Sequence, residues 1–139
     1  MGIFSGLFGT GSSKKDNIKN EINIMEAINA HIRWKIRLEK YLNGTSDEQL
    51  DPKIICRDDQ CVLGKWIHGP ALKHFQEDDG FIKLREDHAQ FHVVAGKVVT
   101  NAQANNKPAA EALMKTEYMN ASRKVVNDLT ELNKQLLSD

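Results

Sequence analysis

His88 and His92 stand four residues apart in a stretch where Phe81, Leu84, Phe91, Ala95, Val98 and Ala102 recur at helical spacing. On a helix such a pair leaves one face with its Cβ atoms about 5–6 Å apart, a separation that suits two ligands on one metal ion. Alone the pair is a weak signal, because separate core histidines bonded to backbone carbonyls or water have the same spacing. Two more residues strengthen it. His31 falls on the apolar stripe of a different helical segment, and Cys61 stands at the opening of a third. Each imidazole carries two polar ring nitrogens, so burying three of them unpartnered in one small core is costly, and a shared ion removes that cost. One thiolate and three imidazoles make a borderline-soft tetrahedral donor set that suits Zn²⁺, one ion per chain. Four protein ligands leave no position for a catalytic water. The chain also lacks a G-x-S-x-G elbow, a Walker A loop and a G-x-G-x-x-G turn, so no enzymatic activity is expected.

The other candidate ligands are weighed against this set. Cys56 and Cys61 enclose four residues in CRDDQC, so a site using both sulfurs is a rival. Cys61 alone is preferred: Cys56 lies in the connector, whereas Cys61 is placed in a helix first turn, where the positive helix terminus favours a thiolate. His68 and His74 flank the Gly69-Pro70 break in polar surroundings and read as solvated surface residues. Asp58, three residues before Cys61, has two readings. The favoured one is an N-cap of the short helix; the other is a group beside the metal that orients a histidine or replaces a lost sulfur.

The elements that must position these side chains are helical. From Asp16 a stripe of Ile24, Ile28, His31, Lys35, Leu38 and Leu42 runs to a stop at Asn43-Gly44, and Thr45 to Pro52 is a polar connector. Asp58 or Asp59 is expected to cap a short helix with Leu63, Trp66 and Ile67, broken at Gly69-Pro70. Gly80 precedes the long histidine-bearing segment. Asn105 or Asn106, followed by Pro108, opens a last helix striped with Met114, Tyr118, Ala121, Val125, Leu129, Leu132 and Leu136. Three long amphipathic helices with short ones between them give an all-α, four-helix-bundle-like domain over residues 16–139. Residues 1–15 are expected to form a flexible tail. Its Ile3, Phe4, Leu7 and Phe8 offer at most a weak membrane contact, being far short of the roughly 20 apolar residues that cross a bilayer. The chain has 139 residues, 40% apolar and 27% charged, enough to bury a core in one domain. Nineteen basic residues balance nineteen acidic ones, which argues against a nucleic-acid binder relying on bulk positive charge. With two cysteines and no secretory signal, a cytoplasmic protein with reduced thiols is expected.

Three runs then point to a family: His31-Ile-Arg-Trp34-Lys35, Cys61-Val-Leu63-Gly64-Lys-Trp66-Ile, and Phe81-Ile-Lys-Leu84-Arg-Glu-Asp-His88-Ala-Gln-Phe91-His92. Together they resemble the chemoreceptor zinc-binding (CZB) domain over roughly Ile24 to Val99. The resemblance implies a zinc ion held by His31, Cys61, His88 and His92, the set already reached from spacing, with Trp34, Leu63, Gly64, Trp66 and Phe91 as packing positions. It also implies a bacterial regulatory module, usually a homodimer, found mostly on chemoreceptors and diguanylate cyclases. In the family, zinc occupancy or oxidation of the zinc-bound cysteine by hypochlorous acid changes the output. This sequence has no coiled-coil signalling tip, periplasmic sensor or GGDEF-type motif, and Met1 reads as a native start. The expectation is a free-standing sensory module acting in trans on a chemoreceptor or diguanylate cyclase, with Cys61 as its redox-sensitive ligand. The dimer seam is expected on the first or last helix, with Leu129, Leu132 and Leu136 as spare apolar positions. The alternatives are a structural zinc protein or zinc buffer without switching, and a hemerythrin-like di-iron bundle. The latter needs about five histidines with bridging carboxylates, which this stripe inventory lacks.

Overall fold

The structure is a computed structural model that describes residues 12–138, and these form eight helices and no strand. The apolar residues of the proposed membrane-contacting tip, Ile3 to Phe8, lie outside the described residues. The all-α bundle expected from the sequence is what folds. Its long members are α2 (Ile24–Leu42), α6 (Asp79–Gln103) and α8 (Glu117–Leu137). Preceding them is α1 (Ser12–Glu21); α3 (Pro52–Ile55), α4 (Val62–Ile67) and α5 (Ala71–Phe75) fill the long connection, and α7 (Lys107–Lys115) precedes α8. No helix among the described residues is long and apolar enough to cross a membrane.

Two helices expected as continuous are each broken. The segment expected from Asp16 to Leu42 divides at Asn23, whose backbone is extended (φ −95°, ψ 104°) and whose side chain accepts from the Glu26 N–H at 3.0 Å. An asparagine in this role competes with helix continuation, and the apolar stripe crosses the break unchanged. The last helix divides at Thr116, which leaves helical geometry (φ −119°, ψ −92°) while its hydroxyl donates to the Ala112 carbonyl at 2.8 Å. The stops after α2 and α4 are where the sequence puts them, at Asn43-Gly44 and before Gly69-Pro70, with Gly44 in the left-handed region at φ 74° ending the turn after α2. Asp78 caps α6 by accepting from the Gly80 and Phe81 N–H groups.

The core lies where α6 and α2 pack on α8. Leu38, Phe81, Leu84, Phe91, Val98, Val125, Leu129 and Leu132 are fully buried there. A further tie crosses from α6 to α8 just ahead of His88. The Lys83 ammonium donates to Asp87 at 2.7 Å and to the buried Asp128 at 3.0 Å. The three leucines assigned to a dimer seam have another use. Leu129 and Leu132 are 0% exposed and Leu136 is 2% exposed, all against their own chain. A stripe of period 3.6 shows that a face is covered, not whether the same chain covers it.

Leu132→Ala should therefore destabilise the fold by about 2–5 kcal/mol, the cost of a cavity in a closed core. Leu137→Ala, at a position 68% exposed, should change stability by less than about 0.5 kcal/mol. Urea unfolding of both variants checks this; equal midpoints would contradict the packing.

Candidate metal centre

His31 comes from the middle of α2, and His88 and His92 from one face of α6; all three are buried. Backbone carbonyls orient two of the rings. His31 Nδ1–H donates to Ala27 O at 2.7 Å, one turn back on its own helix. His92 Nδ1–H donates to Ile55 O at 2.9 Å, the last carbonyl of α3. A carbonyl can only accept, so in both rings Nδ1 holds the proton and Nε2 presents a lone pair. This is how ligating imidazoles are ordinarily set. The α3 turn, unforeseen in the polar connector, thus has a definite part in the site.

The fourth residue reaches the cluster differently from expectation. Cys61 is the N-cap of α4 (φ −84°, ψ 165°), not a first-turn residue, and its Sγ accepts from the Gly64 N–H at 3.3 Å. This overturns the reading of Asp58 as the cap. The Asp58 carboxylate instead accepts from His68 Nε2 at 2.9 Å, and its backbone carbonyl lies against α4 at Gly64. No hydrogen bond from Asp58 to a ring of the cluster is present; its charge acts there only at a distance.

One ligand atom from each of His31, Cys61, His88 and His92 lies within 4.8 Å of all the others. Cys61 Sγ is 3.3 Å from His88 Nε2 and 3.6 Å from His92 Nε2, and those two nitrogens are 3.1 Å apart. A tetrahedral zinc with Zn–S near 2.3 Å and Zn–N near 2.05 Å has S···N edges of about 3.6 Å and N···N edges of about 3.3 Å. The three edges match those figures to a few tenths of an ångström. His31 Nε2 is buried with no hydrogen-bond partner, while its ring centroid stands 5.1 Å from that of His88 and 6.0 Å from that of His92. An orphaned lone pair beside three converging donors is what a cation would satisfy. The residues fit zinc. Cys56 is not in the group; it is exposed, its thiol donating to Lys53 O at 3.4 Å.

Charge favours the same conclusion. Burial holds His31 down at about 4 and His88 at about 2, each lowered further by its histidine neighbours, and it lowers His92 too. The rings are therefore neutral at pH 7, with lone pairs free. Burial pushes the Cys61 thiol up, outweighing the N–H groups of Gly64 and Leu63, and the Asp58 charge adds to the rise. The helix terminus alone does not make this sulfur a thiolate, contrary to the sequence-based expectation. A bound cation would supply the missing stabilisation. Cys61 is also the only donor of the four that is not fully buried. It borders a cleft of about 530 Å³ shared with His31, Arg33 and Trp34, and a second of about 350 Å³ shared with His92.

Of the outer histidines, His68 is exposed, as expected. His74 is not solvated: its side chain is 12% exposed and Nε2 bonds both oxygens of Glu21, at 2.9 and 3.0 Å. Glu21, Ala27 and Ile55 were missed as supporting residues. Gly64 earns its position sterically, since a Cβ there would overlap the Asp58 carbonyl oxygen and crowd the Asp59 backbone. Gly64→Ala should displace the 58–61 segment and lower zinc affinity about tenfold or more, the usual scale for disturbed supporting contacts. Competition with a chromogenic chelator measures this, and wild-type affinity would contradict it.

No curated protein and no solved structure matches the chain. Residues 31–99 match the family model described as the chemoreceptor zinc-binding domain, a span that opens on His31 and takes in Cys61, His88 and His92. Through this stretch the chain belongs to the chemoreceptor zinc-binding domain family.

Proposed function

We propose that this zinc-binding domain is a cytoplasmic sensory module whose Cys61 couples metal retention to oxidant exposure. The observation that supports this most directly is the unequal burial of the donors. His31, His88 and His92 are buried, although His31 and His92 line the clefts that Cys61 borders, while Cys61, which carries the one oxidisable atom, is only half-buried. A small neutral oxidant thus meets sulfur first. Hypochlorous acid and the Cys61 thiolate give a sulfenic acid and chloride: one S–O bond forms, the O–Cl bond breaks, and sulfur loses two electrons. The remaining three nitrogen donors hold zinc less tightly. Because Cys61 is also the cap of α4, the same event frees the start of that helix. The output is passed in trans to a signalling protein such as a chemoreceptor or a diguanylate cyclase, with no chemistry performed by the module itself.

A second copy of the chain is the nearer partner. With the leucines of α8 committed to the core, the seam falls to α2, where Met25, Ile32 and Ile36 are 50, 48 and 52% exposed. With Asn29 they form a stripe of coiled-coil spacing, self-complementary for an antiparallel copy across a twofold axis. Met25 then faces Ile36, Asn29 faces Ile32, and the exposed Glu26 flanks the opposing Arg33.

The zinc-loaded protein should carry one zinc per chain and release it under sub-stoichiometric hypochlorous acid. Cys56→Ser should release zinc equally, and Cys61→Ser should bind it weakly from the outset. Oxidant-driven release that vanishes in Cys56→Ser while Cys61→Ser retains zinc would overturn the assignment. For the seam, Ile32→Glu with Ile36→Glu should convert the dimer measured by light scattering into a monomer that still binds zinc. A monomeric wild type at high micromolar concentration would contradict it.

A further inference from the structure

The short helix α4 joins the metal centre to the N-terminal helix. Its cap is Cys61, and one turn on, Trp66 is buried (3% exposed) with its indole N–H donating to Glu21 of α1 at 3.1 Å. The same carboxylate receives His74 from α5, so one residue at the end of α1 is held by two elements that follow the cysteine. Other contacts also hold α1 and the residue that follows it. Ile18 and Ile22 are buried, Lys14 lies over the Phe75 ring at 5.8 Å, and Lys15 donates to Ser138 O at 2.7 Å. A helix of six residues has little stability of its own, so its tertiary contacts decide where it lies. Its cap is a candidate metal donor, and its last turn carries the Glu21 latch beside the buried Ile67.

We infer that α4 works as a lever, so that loss of the Cys61 bond to metal loosens Trp66 from Glu21 and releases α1 from the bundle. The inference rests on the zinc reading above and names the element that reports the state of the site. Between Cys61 and Trp66 the path is about 7.5 Å of helix, short enough to move as one piece. Its sides are pinned by Leu63 and Ile67, which are buried, and by Gly64 against the Asp58 backbone. Coupling of this kind is reciprocal. If metal holds α1, then cutting the latch must weaken metal binding by the factor through which metal protects α1.

Amide hydrogen exchange of the full chain, with and without zinc, tests this, read at α1 and separately at α6 around His88. In the wild type, zinc should slow exchange in both. In Trp66→Phe, which keeps an aromatic side chain but removes the N–H, and in Glu21→Ala, which removes the acceptor without touching α4, zinc should still slow α6 but no longer α1. Zinc affinity should fall about fivefold or more in both variants. Glu111→Ala, on an exposed face of α7, should behave as the wild type. Zinc that protects α6 but leaves wild-type α1 unchanged would overturn the lever alone, as would an unaltered α1 response in both variants. No protection anywhere would overturn the zinc reading and the lever together.

Discussion

Lone pairs that face one another inside a closed core are the constraint on which the rest of this structure depends. His88 and His92 bring their Nε2 atoms to 3.1 Å, Cys61 Sγ lies within 3.6 Å of both, and His31 Nε2 has no partner. Two of the three rings have committed their proton to a carbonyl, so the cluster has more acceptors than protons to satisfy them. A bound cation would resolve the mismatch, and its binding free energy, of order 10 kcal/mol for a closed zinc site, would then be folding free energy. Much of the short-helix region serves this arrangement. The α3 turn supplies the Ile55 carbonyl, α4 presents its cap, and Gly64 lets the preceding strand of backbone close over them.

The site's three histidines were legible in the sequence because each lies on a periodic pattern, and Cys61 because it stands at a helix opening. His88 and His92 share a helix face by spacing, and His31 sits on a stripe whose neighbours are apolar. What was not legible has no letter of its own. The carbonyls of Ala27 and Ile55 orient two rings, yet nothing in their side chains announces it. Cys61 as an N-cap was hidden by two aspartates, which are far commoner caps, and the structure gives one of them to His68 instead. The breaks at Asn23 and Thr116 were missed because the hydrophobic stripe runs through both, and a stripe records burial rather than continuity. Leu129, Leu132 and Leu136 were misread for a related reason, since periodicity does not distinguish a core from a seam. His74 finds Glu21 across 53 residues of chain, a pairing that no local pattern encodes.

The sulfur is held in tension between two effects. Burial raises its pKa and favours a neutral thiol, whereas the helix terminus and a bound cation favour the thiolate. Backbone N–H groups alone lose that contest here, and a bound cation would tip it toward the thiolate.

X-ray absorption at the zinc edge of the metal-loaded protein tests the central claim most directly. Three nitrogen neighbours near 2.0–2.1 Å and one sulfur near 2.3 Å, with no water, are the result this account predicts, those being the ordinary bond lengths for such ligands. Two sulfurs in the shell, or a shell of light atoms alone, would contradict it.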